Sequence, residues 1–141
     1  MERFLGIDLG DVRTGVAVSD PSGLLASGLA TLHGLNSYEL TQRIQELAAQ
    51  YKIQTVVMGI PVNMDGSQGF RAEKVRAFGD ALAEKTGLRV IYVDERLTTM
   101  QASRYLNAAD VRGKKRKDTI DTLSAQIILQ DYLDARRHSL E

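Results

Sequence analysis

Asp8 closes an apolar run, Phe4-Leu5-Gly6-Ile7-Asp8, and glycines follow it at Gly10 and Gly15. Glu95 follows a second apolar run, in Val93-Asp94-Glu95-Arg96, and Asp121 opens an apolar-periodic stretch near the C-terminus. Carboxylates gathered in one place repel each other unless a cation neutralises them. Hard oxygen donors without His or Cys among them suit Mg²⁺ or Mn²⁺. Two such ions roughly 4 Å apart activate a water and stabilise the leaving oxygen of a phosphodiester. The segment Arg112-Gly113-Lys114-Lys115-Arg116-Lys117 carries five cations in six residues and directly precedes Asp121. That placement suits a polyanion whose phosphates need neutralising beside the carboxylates. Arg13 and Arg71 are weaker candidates for phosphate contact. Taken singly, Asp8 also fits a turn, Asp121 a helix-dipole partner and Glu95 an ion pair with Arg96 or Arg13. The three together fit a site.

The elements that must position these groups follow from periodicity. Residues 4–9 read as a short central strand, 15–19 as its hairpin partner, and 24–32 as a third strand nearer the edge. Asp20-Pro21-Ser22-Gly23 is the turn between the last two. Leu40, Ile44, Leu47, Ala48 and Tyr51 recur on one helical face over residues 36–51, and Asn36 with Glu39 makes a capping box. Residues 55–60 form a continuous apolar strand of the parallel, doubly covered kind. A polar, glycine-rich loop over 61–69 precedes a helix over 70–86, closed by Gly87. Residues 88–93 are a fifth strand, and 98–109 a helix capped by Thr98 and Gln101. A basic loop over 110–117 leads to a last helix over 118–136, with Asp118 as N-cap and Asp121 in the first turn. An antiparallel meander followed by alternating units predicts one α/β domain over residues 1–141: a five-stranded mixed sheet flanked by helices. Ligands collect at the carboxyl ends of strands in such sheets. Strands one and five run parallel in this scheme, so Asp8 and Glu95 emerge on the same side.

Bulk properties narrow the function classes. Lys+Arg and Asp+Glu both number 18, so no global field draws the chain to nucleic acid or membrane, and such binding must come from local patches. Cysteine is absent, which excludes disulfides, zinc-thiolate sites and thiol catalysis. The opening MERFLGIDLG is too short and too charged for a signal peptide, and no apolar run approaches membrane-spanning length, so a cytoplasmic protein without membrane partners is expected. Aromatic residues make up 6% of the chain, too few for an evident base-stacking platform.

Four ordered blocks resemble the YqgF/RuvX family. They are Gly6-Ile7-Asp8-Leu9-Gly10 with Arg13-Thr14-Gly15 and Ser19-Asp20; Gly59-Ile60-Pro61 with Asn63-Met64-Asp65-Gly66 and Arg71-Ala72; Asp94-Glu95-Arg96-Leu97-Thr98-Thr99; and Lys117 to Asp121 with Ser124-Ala125 and Ile128-Leu129-Gln130. The resemblance spans nearly the whole chain. It implies an RNase H-like fold related to Holliday junction resolvases, and a nuclease acting in maturation of the 5′ end of pre-16S ribosomal RNA. By motif position it makes Asp8, Glu95 and Asp121 the catalytic, metal-holding carboxylates. In related nucleases of this fold the second acid sits at the tip of strand four. Here that tip reads Gly59-Ile60-Pro61, and Glu95 must reach across from strand five. Ser124 stands where the family pattern implies Ala.

The reading that unites these features is a metal-dependent hydrolase of phosphodiester bonds using two divalent ions, Mg²⁺ or Mn²⁺. Arg13, Arg71, Arg112, Lys114, Lys115, Arg116 and Lys117 would contact the nucleic acid, an rRNA precursor or a branched DNA. Cutting a junction symmetrically would favour a homodimer. Two alternatives keep the fold and change the role: a Holliday junction resolvase, and a non-catalytic RNA-binding assembly factor. An ATP-using enzyme of the sugar-kinase type would need a second domain, for which 141 residues leave no space.

Overall fold

The computed structural model describes residues 2–61, 69–94 and 113–140, with the backbone alone over 113–121 and 139–140. Five strands form one sheet: β1 (Phe4–Asp8), β2 (Arg13–Ser19), β3 (Ala26–His33), β4 (Thr55–Ile60) and β5 (Arg89–Asp94). Their order is β3-β2-β1-β4-β5. β1 pairs antiparallel with β2 and parallel with β4, and β4 pairs parallel with β5. The mixed sheet is the one expected, with β1 at its centre. Phe4, Leu5, Gly6 and Ile7 are all buried, as a strand covered on both faces must be.

Side chains alternate across the sheet and divide the core in two. Leu5, Ile7, Val56 and Met58 face α1 (Ser37–Gln50) and α2 (Phe70–Thr86), which supply Leu40, Ile44, Leu47, Ala72, Val75 and Leu82. Phe4, Ala17 and Val57 face α3 (Gly113–Leu140), which supplies Ala125, Ile128, Leu129 and Leu133. Among the described residues no helix is long and apolar enough to cross a membrane.

The helix signals on the first face hold as read. Asn36 caps α1, its side chain accepting from the Glu39 N–H at 2.8 Å while Glu39 accepts from the Asn36 N–H at 3.1 Å. Gly87 ends α2 in the left-handed region at φ 77°, where its N–H reaches the Ala83 carbonyl at 2.9 Å. Tyr92 of β5 donates to Asp80 of α2 at 2.7 Å and stands against Gly79, where a Cβ would strike its ring. The bounds of β4 and α2 match expectation; those of β1, β2, β3 and β5 shift by one or two residues. The expected helix over 98–109 lies outside the described residues.

The expected basic loop and last-helix start are overturned in the part described. α3 already runs from Gly113, so the backbone of Lys114, Lys115, Arg116 and Lys117 is helical. Asp118 lies inside the helix and is not its N-cap, and Asp121 falls in the third turn, not the first. Lys and Arg are good helix formers. Their propensity prevails here over the unfavourable meeting of cations with a helix N-terminus, and over the cap preference of Asp118.

α3 runs antiparallel to β1 and touches it closely. A Cβ on Gly6 would lie 2.8 Å from Leu129 Cβ and 2.9 Å from the Ala125 carbonyl oxygen. Farther along, Tyr132 packs edge-on against Phe4 with ring centroids 5.5 Å apart, and Arg136 lies over the same ring while reaching Glu2 at 3.8 Å. Toward β3, Thr122 and Thr31 share a hydroxyl hydrogen bond of 2.7 Å. The Gln130 carboxamide accepts from the Ala26 N–H at 2.9 Å and donates to the Leu24 carbonyl at 3.0 Å. Gln126 donates to the Ala26 carbonyl at 3.1 Å.

Two stability predictions follow from this seam. Gly6→Ala forces a methyl into backbone and Cβ atoms and is expected to cost about 1–3 kcal/mol, lowering Tm by several degrees in thermal unfolding. The Ser124 hydroxyl is buried with no hydrogen-bond partner among the described residues. Ser124→Ala removes that unsatisfied group and is expected to hold or raise stability, by up to about 1 kcal/mol in denaturant titration.

Candidate functional site

β1, β4 and β5 run parallel, so their carboxyl ends share one edge of the sheet. Asp8 ends β1 there, half-buried and paired in register with Gly15 of β2. Two residues beyond Gly6, it has the parity of Phe4 and Gly6, the face that α3 covers. Asp121 lies one helical turn before Ala125, and Ala125 lies against Gly6. One turn of helix rises about 5.4 Å, and two residues of strand rise about 6.6 Å. The antiparallel run of α3 therefore brings the backbone of Asp121 to the level of Asp8.

β4 stands between β1 and β5. Gly59 is its residue beside that level, pairing with Val93 of β5. Gly59 shares the parity of Val57, which faces α3, so no β4 side chain separates Asp8 from β5 on that face. Glu95 and Arg112 lie outside the described residues. Among the described residues, no three His, Cys, Asp or Glu side chains come together as a metal site. Carboxylate oxygen is nevertheless the donor a hard divalent cation takes, and the described lining of the cleft that Asp8 borders carries no His.

That cleft, of about 940 Å³, opens between the β1–β2 turn, the first turn of α1 and the flank of α2. Asp8, Arg13 and Arg71, three of the residues singled out from sequence, line it together. Lys74 and Lys85 also line it, and neither was anticipated. Their signal lay in helical spacing: Arg71, Lys74, Phe78 and Lys85 recur at intervals of three, four and seven. This stripe flanks the buried one of Ala72, Val75, Gly79 and Leu82. Lys74 binds Asp11 at 2.7 Å, both side chains being more than half exposed. The hydrogen bond and charge of Lys74, with the more distant charge of Arg71, hold the Asp11 carboxyl below its usual range.

Comparison with known proteins agrees with this architecture. The solved structure of T. thermophilus RuvC in complex with Holliday junction substrate superposes with a TM-score of 0.59 at 17% identity, covering 97% of this chain and 96% of that one. The fowlpox virus Holliday junction resolvase superposes with a TM-score of 0.56 at 12% identity, covering 94% and 99%. At these identities the likeness is one of fold, and the fold is RNase H-like, as the sequence blocks implied. Curated relatives are far closer in sequence. A protein of Caldanaerobacter subterraneus named "Putative pre-16S rRNA nuclease" is 45% identical over 138 residues, 97% of this chain and 99% of that one. One of the same name from Lacticaseibacillus casei is 47% identical over 137 residues, 95% of each chain. Residues 2–135 match the family described as "RuvX: Holliday junction resolvase", and with that span the chain belongs to the RuvX family.

Proposed function

We propose that this chain is a cytoplasmic nuclease that hydrolyses phosphodiester bonds in the 5′-end maturation of pre-16S ribosomal RNA. The observation that carries the reading is the register of α3 on β1, which brings the turn of Asp121 to the level of Asp8 at the carboxyl edge of the sheet. The names of relatives aligned over nearly their full length support the substrate.

Asp8, Glu95 and Asp121 would hold the divalent ions, Mg²⁺ or Mn²⁺. Glu95 directly follows Asp94, the last residue of β5. The bare face of β4 at Gly59 leaves room for an acid arriving from β5 in place of one on β4 itself. When bound, a pair of such ions supplies Lewis-acid activation of water and of the phosphoryl group. The chain's own part is to hold the carboxylates rigidly and to fix the substrate phosphates. Arg13 and Arg71 would do so in the cleft. Lys114, Lys115, Arg116 and Lys117 would do so from the N-terminal end of α3, where the helix dipole adds to their field, and Arg112, just before them in sequence, would join them.

The test is a cleavage assay on labelled single-stranded RNA, ribosomal precursor RNA, duplex DNA and a four-way junction, each with Mg²⁺, Mn²⁺ or chelator. Metal-dependent cutting of the precursor is expected, and Asp8→Asn is expected to reduce it by roughly 100-fold or more, the scale of losing one preorganised electrostatic group. Preference for the junction would instead identify a resolvase, for which a symmetric dimer would be expected. RNA binding with no cutting in any lane would make the protein an assembly factor and overturn the reading. Replacing Lys114, Lys115 and Lys117 by alanine is expected to flatten the salt dependence of RNA binding by about 0.7 in log–log slope per cation. An unchanged slope would remove that segment from the interface.

A further inference from the structure

The cleft beside Asp8 is longer than one phosphate needs. Arg71 stands in the first turn of α2 and Lys85 in its last. Helical rise separates them by about 21 Å along one wall. Lys74 lies between them on the same stripe, and all three line the cleft. A row of cations of that length has the form of a track for a charged polymer. A mononucleotide would occupy only part of it.

The mouth of the track holds an anion of the protein's own. Asp11 extends from the β1–β2 turn, three residues after Asp8, and binds Lys74 at 2.7 Å. Both partners are exposed, and such pairs contribute little to stability because water and salt screen them. The pair therefore yields readily to a ligand that offers Lys74 a phosphate while also engaging Arg71 and Lys85.

We infer that the α2 wall of this cleft binds the phosphates of an unpaired strand flanking the scissile position, through Arg71, Lys74 and Lys85, and that Asp11 occupies Lys74 until a phosphate displaces it. The inference rests on the nuclease reading above and extends it to Lys74, Lys85 and Asp11, which that reading leaves without a role. Its consequence is selection by length. A short oligonucleotide must displace Asp11 for a single contact, whereas a long one recovers that cost at the remaining cations.

Fluorescence anisotropy of short and long labelled single-stranded RNAs, in chelator and across a salt series, tests it. The proteins are wild type, Lys74→Ala, Lys74→Ala/Lys85→Ala, Asp11→Asn and Asp11→Asn/Lys74→Ala, all changed at surface positions and checked for unchanged Tm. The double lysine variant is expected to bind the long RNA about tenfold more weakly, with a salt slope shallower by about 1.4, two contacts at 0.7 each. Asp11→Asn is expected to tighten binding several-fold, more for the short RNA than for the long, and only while Lys74 is present; this pairwise coupling is what a double-mutant cycle isolates. Wild-type binding with an unchanged slope in the lysine variants would overturn the track alone. Equal tightening by Asp11→Asn with and without Lys74 would overturn the displacement and leave only a general change of field. A wild-type protein that binds no nucleic acid would overturn the nuclease reading and this inference together.

Discussion

The distance between α3 and the central strand governs the rest of the molecule. Gly6 has no side chain, and the Ala125 carbonyl and Leu129 Cβ occupy the space a methyl would need. The same accommodation recurs at Gly28, where a Cβ would meet the Thr122 methyl. Between these two close approaches the helix can neither slide along β1 nor roll toward β3 without a steric cost, since packed interiors do not deform continuously. The height of every residue on α3 relative to the sheet is then set, including that of Asp121. A long helix held this closely near its middle acts as a lever, and its fulcrum must be stiff. Two glycines, a threonine pair and two glutamines make it so.

The opposite face of the sheet is built differently. There α1 and α2 meet β1 and β4 through ordinary apolar side chains, and the first turn of α1, the flank of α2 and the β1–β2 turn line the cleft. One face therefore fixes the height of a helix on the sheet, and the other leaves an open cleft. The charge balance of the whole molecule is zero, yet the cleft gathers Arg13, Arg71, Lys74 and Lys85 around Asp8 and Asp11. Bulk charge says little about such a molecule, because a Debye length of about 8 Å at physiological ionic strength makes the local arrangement decisive.

Much of this was legible in the sequence, and the reasons differ by element. β4 and α2 were read to the residue because each is bounded by unambiguous chemistry: a proline after Ile60, a glycine after Thr86. α1 was legible through its capping box, a signal that acts locally and needs no tertiary partner. The start of α3 was misread because two local preferences conflict there, and aspartate's cap preference lost to the helix propensity of the lysines before it. Asp8 stands out in the sequence because a carboxylate at the end of a buried strand is costly without a purpose, and the structure places it at the end of β1. Lys74 and Lys85 were missed because exposed lysines on an amphipathic helix are unremarkable until a facing wall makes their side of the helix a cleft.

The glutamines of α3 have an effect beyond holding the helix. Ala26 begins β3, a terminal strand of the sheet, and Gln126 and Gln130 take both its carbonyl and its N–H. A terminal strand normally offers such groups to any extended chain that arrives, including another copy of itself. Here the first rung is already filled by side chains of the same molecule. Growth of the sheet into a neighbouring molecule is therefore discouraged where β3 begins.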